Sequence, residues 1–224
     1  MVTKMGRSDA EIQQAVIREL KWDTRVEETD LGVEVDRGIV TLTGTVSSYG
    51  KKLAAAEAAH RVAGVLDVAN DVIVQLPGAG IRTDTDIARA VREALEWEVQ
   101  VPDKEIQSTV TDGWVTLSGT VGSWQQRQEA ERSVRNLAGV KGVKNHIEVQ
   151  VRQRPSTTAL QESIEEALER RAERTAKRIR VTTTEGGLVT LRGKVESWEE
   201  RQAIVGTVGH APGVREVRDE LTYA

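Results

Sequence analysis

The 224-residue chain has no cysteine and no phenylalanine. Without thiols there is no disulfide, no thiolate metal site, no cysteine nucleophile and no acylated lipoprotein anchor. Aromatic residues make up only 3% of the chain, so its apolar content is mostly Val, Ile, Leu and Ala. A core of branched aliphatics suits small sheets covered by thin helices. No stretch approaches the roughly 18 consecutive apolar residues of a membrane span. The N-terminus, Met1-Val2-Thr3-Lys4-Met5-Gly6-Arg7-Ser8, lacks the apolar run of a signal peptide. As written, the chain is expected to be soluble and cytoplasmic; removal of a leader would make it periplasmic instead. The net charge of -4 is mildly acidic and argues against a dedicated nucleic-acid binder.

What the sequence does contain is repetition. Gly38-Ile39-Val40-Thr41-Leu42-Thr43-Gly44-Thr45-Val46 returns as Gly113-Trp114-Val115-Thr116-Leu117-Ser118-Gly119-Thr120-Val121. It returns again as Gly187-Leu188-Val189-Thr190-Leu191-Arg192-Gly193-Lys194-Val195. The offsets are 113 − 38 = 75 and 187 − 113 = 74. Ala63-Gly64-Val65, Ala138-Gly139-Val140 and Pro212-Gly213-Val214 keep the same spacings, whereas Ile12, Ile87 and Leu160 are spaced by 75 and then 73. The third copy therefore carries one extra residue between the upstream and central anchors. The turn Glu185-Gly186-Gly187 is the expected site, because hairpin turns tolerate insertion. The copies span 8–76, 83–151 and 156–224, joined by Pro77-Gly78-Ala79-Gly80 and Arg154-Pro155. Each is long enough to bury a core of its own, which predicts three small domains in a row rather than a solenoid.

Within a copy the periodicities are clear. Ile12, Val16 and Leu20, with Ile87, Val91 and Leu95 and then Leu160, Ile164 and Leu168, recur every four residues and mark a helix with one buried stripe. Ser8-x-x-Glu11 and Thr83-x-x-Asp86 resemble capping boxes at its start. Two alternating strands follow, joined by a short Gly-containing turn that makes them an antiparallel hairpin. Ser48, Ser123 and Ser197 then cap a second helix, expected to end at Gly64, Gly139 and Gly213 as left-handed caps. A last alternating strand closes the module. The fold class is α+β: three tandem α-β-β-α-β modules, each a small mixed three-stranded sheet covered on one face by two helices. Gly44, Gly119 and Gly193, inside the second strand, join Gly64, Gly139 and Gly213 as structural positions.

A helix, then Gly-[Ile/Trp/Leu]-Val-x-Leu-x-Gly-x-Val-x-Ser, then a helix ending in Gly-Val and an Asn/Asp-containing strand resembles the BON domain, the bacterial OsmY and nodulation module. The resemblance covers nearly the whole chain in three copies. It implies a small α/β module of osmotic-shock, envelope and transport-associated proteins. Its implied role is to bind phospholipid surfaces or envelope proteins without catalysis and without a cofactor. Family members often carry export signals or lipoprotein cysteines, and this chain shows neither.

The residues able to carry chemistry agree with a non-enzymatic reading. His60, His146 and His210 occupy unrelated repeat positions, with no metal-ligand spacing. No P-loop, Gly-x-Gly-x-x-Gly or Gly-x-Ser-x-Gly is present. Gly139-Val140-Lys141-Gly142 matches the GxxG of a KH domain, but it joins a helix to a strand, and the other copies lack it. The aromatics are more informative. Tyr49, Trp124 and Trp198 share the position after the cap serine, where they either staple the helix to the sheet or contact a membrane or partner. Trp22 and Trp97 share a second position at the end of the first helix. Trp114 falls on the outward phase of its strand, like Ile39 and Leu188, as a contact between modules or a ligand face. Arg170, Arg171, Arg174, Lys177, Arg178 and Arg180 form the strongest basic run, either a solvated helix end or a site for an anionic surface. The expected partners are an anionic phospholipid surface or an envelope protein. The other reading is a protein–protein or homo-oligomeric scaffold, without nucleic acid.

Overall fold

A computed structural model describes residues 7–26, 31–76, 82–151, 155–171 and 178–223, the side chain of residue 171 excepted. Six α-helices and eleven strands lie among these residues. The first module contains α1 (Asp9–Trp22), β1 (Gly32–Asp36), β2 (Ile39–Thr43), β3 (Thr45–Val46), α2 (Tyr49–His60), β4 (Asp67–Asn70) and β5 (Ile73–Val74). The second contains α3 (Asp84–Trp97), a short 3-10 turn, β6 (Ile106–Thr111), β7 (Trp114–Val121), α4 (Trp124–Val134) and β8 (Gly142–Val149). The third contains α5 (Thr157–Arg171), β9 (Ile179–Thr183), β10 (Leu188–Val195), α6 (Trp198–Gly209) and β11 (Glu216–Tyr223). The chain divides into two units, Met1–Thr83 with Ala138–Gly142, and Asp84–Leu137 with Val143–Ala224.

Each module has a three-stranded sheet with the hairpin's second strand in the centre: β1-β2-β4, β6-β7-β8 and β9-β10-β11. The hairpins are antiparallel, while β2 with β4 and β10 with β11 run parallel, so the sheets are mixed. Parallel pairing follows from chain economy: a helix carries the strand back to its starting end. The helical stripes are buried as their spacing predicts. Val16, Val91 and Ile164 are fully covered, against Val40 and Leu42, Val115 and Leu117, and Val189 and Leu191 from the central strands. Burying such a side chain contributes about 1.5–3 kcal/mol relative to leaving it exposed.

The first two hairpins turn through two residues with positive φ, Arg37-Gly38 (49° and 77°) and Asp112-Gly113 (52° and 80°). This is the turn whose twist matches the strands. In the third module Thr183 pairs with Val189, as Val110 does with Val115. The turn there is one residue longer, which puts the insertion at Glu185-Gly186-Gly187.

The ends of the second helices differ from the sequence expectation. They stop at His60, Val134 and Gly209, four or five residues before the glycines. The backbone tightens after each helix into successive i→i−3 turns. The Val62 N–H donates to the Ala59 carbonyl at 3.1 Å and the Val65 N–H to the Val62 carbonyl at 3.1 Å. Gly64 at φ 100° takes the left-handed place in the second turn, as Gly139 (94°) and Gly213 (102°) do in their copies. The mid-strand glycines serve a different need. A Cβ on Gly119 would overlap the Glu105 carbonyl, and one on Gly193 the Arg178 carbonyl, because the chain entering the sheet crosses there at contact distance. Gly44 has the same left-handed φ, 115°, and separates β2 from β3.

Candidate functional site

The most exposed aromatic rings are Trp22 and Trp97. They end α1 and α3, two residues past the last buried leucine, Leu20 or Leu95. Two residues rotate a helix by about 200°, which carries each indole to the side away from the stripe. Trp22 is 84% exposed and Trp97 85%, and Val99 beside Trp97 is 96% exposed. At the matching position of the third copy stands Arg170, 73 residues after Trp97. Its guanidinium meets Glu166 at 2.8 Å one turn earlier. The two tryptophans share a repeat position in the sequence, which by itself does not mark them as site residues. The signal lay in their phase relative to the buried stripe.

The rings after the cap serines are more covered. Tyr49, Trp124 and Trp198 are each half-buried at the start of their helices. Their serines hold those starts: Ser48 Oγ accepts from the Lys51 N–H at 3.3 Å, Ser123 Oγ from Gln126 at 3.2 Å and Ser197 Oγ from Glu200 at 3.2 Å. The Gln126 side chain reaches one residue beyond a simple capping box, accepting from the Gly122 N–H at 2.8 Å. Trp124 packs against the core of the third module, within the same unit. A Cβ added to Gly209 of α6 would overlap its ring. Trp124 thus reaches a neighbouring module with part of its ring.

On the outward sheet faces, Ile39 and Trp114 are each 46% exposed and Leu188 is half-buried. Lys144 Nζ sits 5.6 Å from the Trp114 ring centroid, within reach of the ring's negative face. Each apolar side chain is set among polar outward neighbours, so the faces are wet surfaces with single apolar points.

The basic run of the third copy is partly neutralised. Besides Arg170, Arg178 contacts Glu196 at 2.7 Å, and this carboxylate raises the guanidinium pKa further above its ordinary value. Arg180 is exposed on β9. Arg174 and Lys177, and the Arg171 side chain, lie outside the described residues.

A different charged cluster ties α1 to α2. Asp23 is nearly buried and accepts from Arg25 Nε at 3.0 Å, Arg25 Nη2 at 2.8 Å, the Arg25 N–H at 3.0 Å and Arg61 Nη2 at 2.7 Å. Arg61 also donates to Glu19 at 2.9 Å, and Arg25 to Glu57 at 2.7 Å. The hydrogen bond from Arg25, helped by Arg61 against the cost of burial, holds the Asp23 carboxyl far below the usual carboxylate range. Matching positions in the second copy are Glu98, Gln100 and Asn136, so the cluster belongs to the first module.

Among the described residues no three His, Asp or Glu side chains converge as metal ligands. No helix there is long and apolar enough to cross a membrane. A cleft of about 510 Å³ in the second module is lined by Pro102, Glu105, Thr120, Ser123, Gln126 and Gln150 among others. Glu105 is the one ionisable side chain among the described residues of this lining.

These features define a tandem array of small α+β modules with exposed tryptophans at one repeat position of the first two. The BON domain profile matches residues 8–75, 83–151 and 156–224, and the chain belongs to the BON domain family. It is 32% identical over 152 residues to osmotically-inducible protein Y of Escherichia coli (strain K12), covering 65% of this chain and 76% of that protein. Two structures of CdsD, a structural protein of the type III secretion system of Chlamydia trachomatis, are also similar. They cover 94% and 97% of this chain at 13% and 12% identity, each with a TM-score of 0.27.

Proposed function

We propose that this protein is a non-catalytic binding protein that docks on anionic phospholipid surfaces under osmotic or related stress. The observation that carries the reading is the pair Trp22 and Trp97, exposed at one repeat position in two modules. An indole has an apolar body and a polar N–H, and it favours the membrane–water interface. The third module offers Arg170 at that position, followed by more cations, each contributing on the order of 1 kcal/mol near an anionic bilayer. The relative's name, osmotically-inducible protein Y, supports the stress context.

Co-sedimentation with liposomes tests this. Pelleting with anionic but not zwitterionic vesicles is expected, weakened by salt and by Trp22→Ala with Trp97→Ala. Absence of pelleting with either lipid would reject the lipid reading and leave a protein partner as the occupant of these surfaces.

A further inference from the structure

The three outward sheet faces differ in charge. In the first module the register aligns Asp36, Ile39 and Asp67 in one row and Glu34, Thr41 and Ala69 in the next. All of the acidic members are exposed. These rows hold three carboxylates and no Lys or Arg; Arg37 of the adjoining turn meets Asp36 at 3.4 Å. In the second module the outward residues of β6 and β7 are Gln107, Thr109, Thr111, Trp114, Thr116 and Ser118, none of them charged, and β8 adds exposed Lys144, His146 and Glu148, one lysine against one carboxylate. In the third module the rows are Leu188 with Glu216, then Thr182, Thr190 and Arg218, then Arg180, Arg192 and Glu220, then Lys194 with Thr222. Four cations stand there against two carboxylates.

Both charged faces place like charges in one row across the sheet. Arg180 lies directly opposite Arg192 across the hairpin, a pairing that costs the sheet stability. Only Arg192 of the two is drawn to Glu220, at 2.6 Å. On the acidic side Asp36 and Asp67 flank Ile39 across the same row. Each face also has an apolar side chain at its hairpin end, Ile39 on one and Leu188 on the other.

We propose that copies of this chain associate head to tail, the acidic outer sheet face of the first module docking on the basic outer face of the third module of another copy. Charge complementarity selects the partner face, and the second face, where Lys144 and Glu148 balance, takes no part. The contact joins two different patches, so it is heterologous and propagates until it closes into a ring or runs on as a chain. It does not depend on the lipid reading, because it uses the outer sheet faces rather than the helix-end tryptophans.

Analytical ultracentrifugation of the full chain without lipid tests it. Sedimentation is expected to quicken with protein concentration at about 50 mM salt and to return to the monomer value at about 500 mM, where screening shortens the reach of surface charges to a few ångströms. Glu34→Lys with Asp67→Lys reverses the first face and leaves the Asp36–Arg37 pair intact. Arg180→Glu, Lys194→Glu and Arg218→Glu reverse the other face and spare Arg192–Glu220. Each variant, checked for folding by circular dichroism, is expected to sediment as a monomer. An equimolar mixture of the two is expected to associate, because each reversed face then meets its complement. A wild-type chain that stays monomeric at low salt overturns the proposal. So do folded variants that associate like the wild type, or a mixture that stays monomeric.

Discussion

Asp84 and Gly113 lie 29 residues apart, yet Asp84 Oδ1 accepts the Gly113 N–H at 2.9 Å. The other oxygen accepts the Asp112 N–H at 2.8 Å. One carboxylate at the start of α3 thus holds both N–H groups of the hairpin turn. Asp9 does the same for Arg37 and Gly38, each at 2.9 Å. The third copy has Thr157 at this position and, with it, the longer turn. There Thr183 Oγ1 donates to the Thr157 carbonyl at 3.0 Å, so the hairpin again donates to the helix start, here from a side chain to a backbone oxygen.

Removing this clamp should loosen the hairpin. Asp84→Ala is expected to cost about 1.5–3 kcal/mol, the range for hydrogen bonds to a charged group, and Asp84→Asn less because one acceptor survives. Urea unfolding followed by circular dichroism measures both. Equal stability of Asp84→Ala and the wild type would show that water replaces the carboxylate at no cost.

Two glycines of α6, three residues apart, should respond with opposite sign. Gly206 has nothing near its missing Cβ, so Gly206→Ala is expected to stabilise the helix by about 0.5–1 kcal/mol. Gly209→Ala drives a methyl into the Trp124 ring and should destabilise by about 1–3 kcal/mol. It should also shift the tryptophan emission. Thermal melts of the two variants, side by side, separate helix propensity from the Trp124 contact.

Gly213→Ala should be costly for two reasons. Its φ is 102°, and a Cβ would lie 2.6 Å from Cγ of Pro155. Backbone strain of this kind costs on the order of 1–3 kcal/mol, and the clash adds to it. A melting temperature unchanged in Gly213→Ala would mean that the turn relaxes without penalty.

The acid stability of the first module should depend on Asp23. Its folded pKa lies below the ordinary value of 3.8, so the folded state favours the ionised form. The stabilisation is therefore fully present above about pH 4 and is lost as the pH falls from there toward the folded pKa. Asp23→Asn should be less stable than the wild type at neutral pH and should lose less on acidification. Chemical denaturation at a series of pH values between about 7 and 2.5 checks the slope; parallel pH profiles would assign the acid sensitivity to other groups.

The sequence alone determined the number of modules, the order of their elements and the location of the inserted residue. Each of these rests on local periodicity: a stripe of period four buries one helix face, alternation buries one sheet face, and a repeat copies both. Even the mixed sheet followed, since a helix between two strands returns the chain to the end from which it began. The ends of the second helices were less legible. Gly64, Gly139 and Gly213 read as caps, while the chain had already left the helix through tight turns whose hydrogen bonds leave no mark in hydrophobic pattern.

Contacts between distant residues were decided by tertiary structure alone. Trp124 and Trp198 look equivalent in the repeat, but only packing set Trp124 against Gly209 of another module. Asp23, Arg25, Arg61, Glu19 and Glu57 are ordinary surface residues in sequence, and the approach of α1 to α2 makes them one network. The contrast between an acidic and a basic sheet face likewise appears only when register puts Asp36 and Asp67 on either side of Ile39 and Arg180 opposite Arg192. Hydrophobic periodicity determines which way a side chain points, whereas its neighbours depend on how separate elements come together in space.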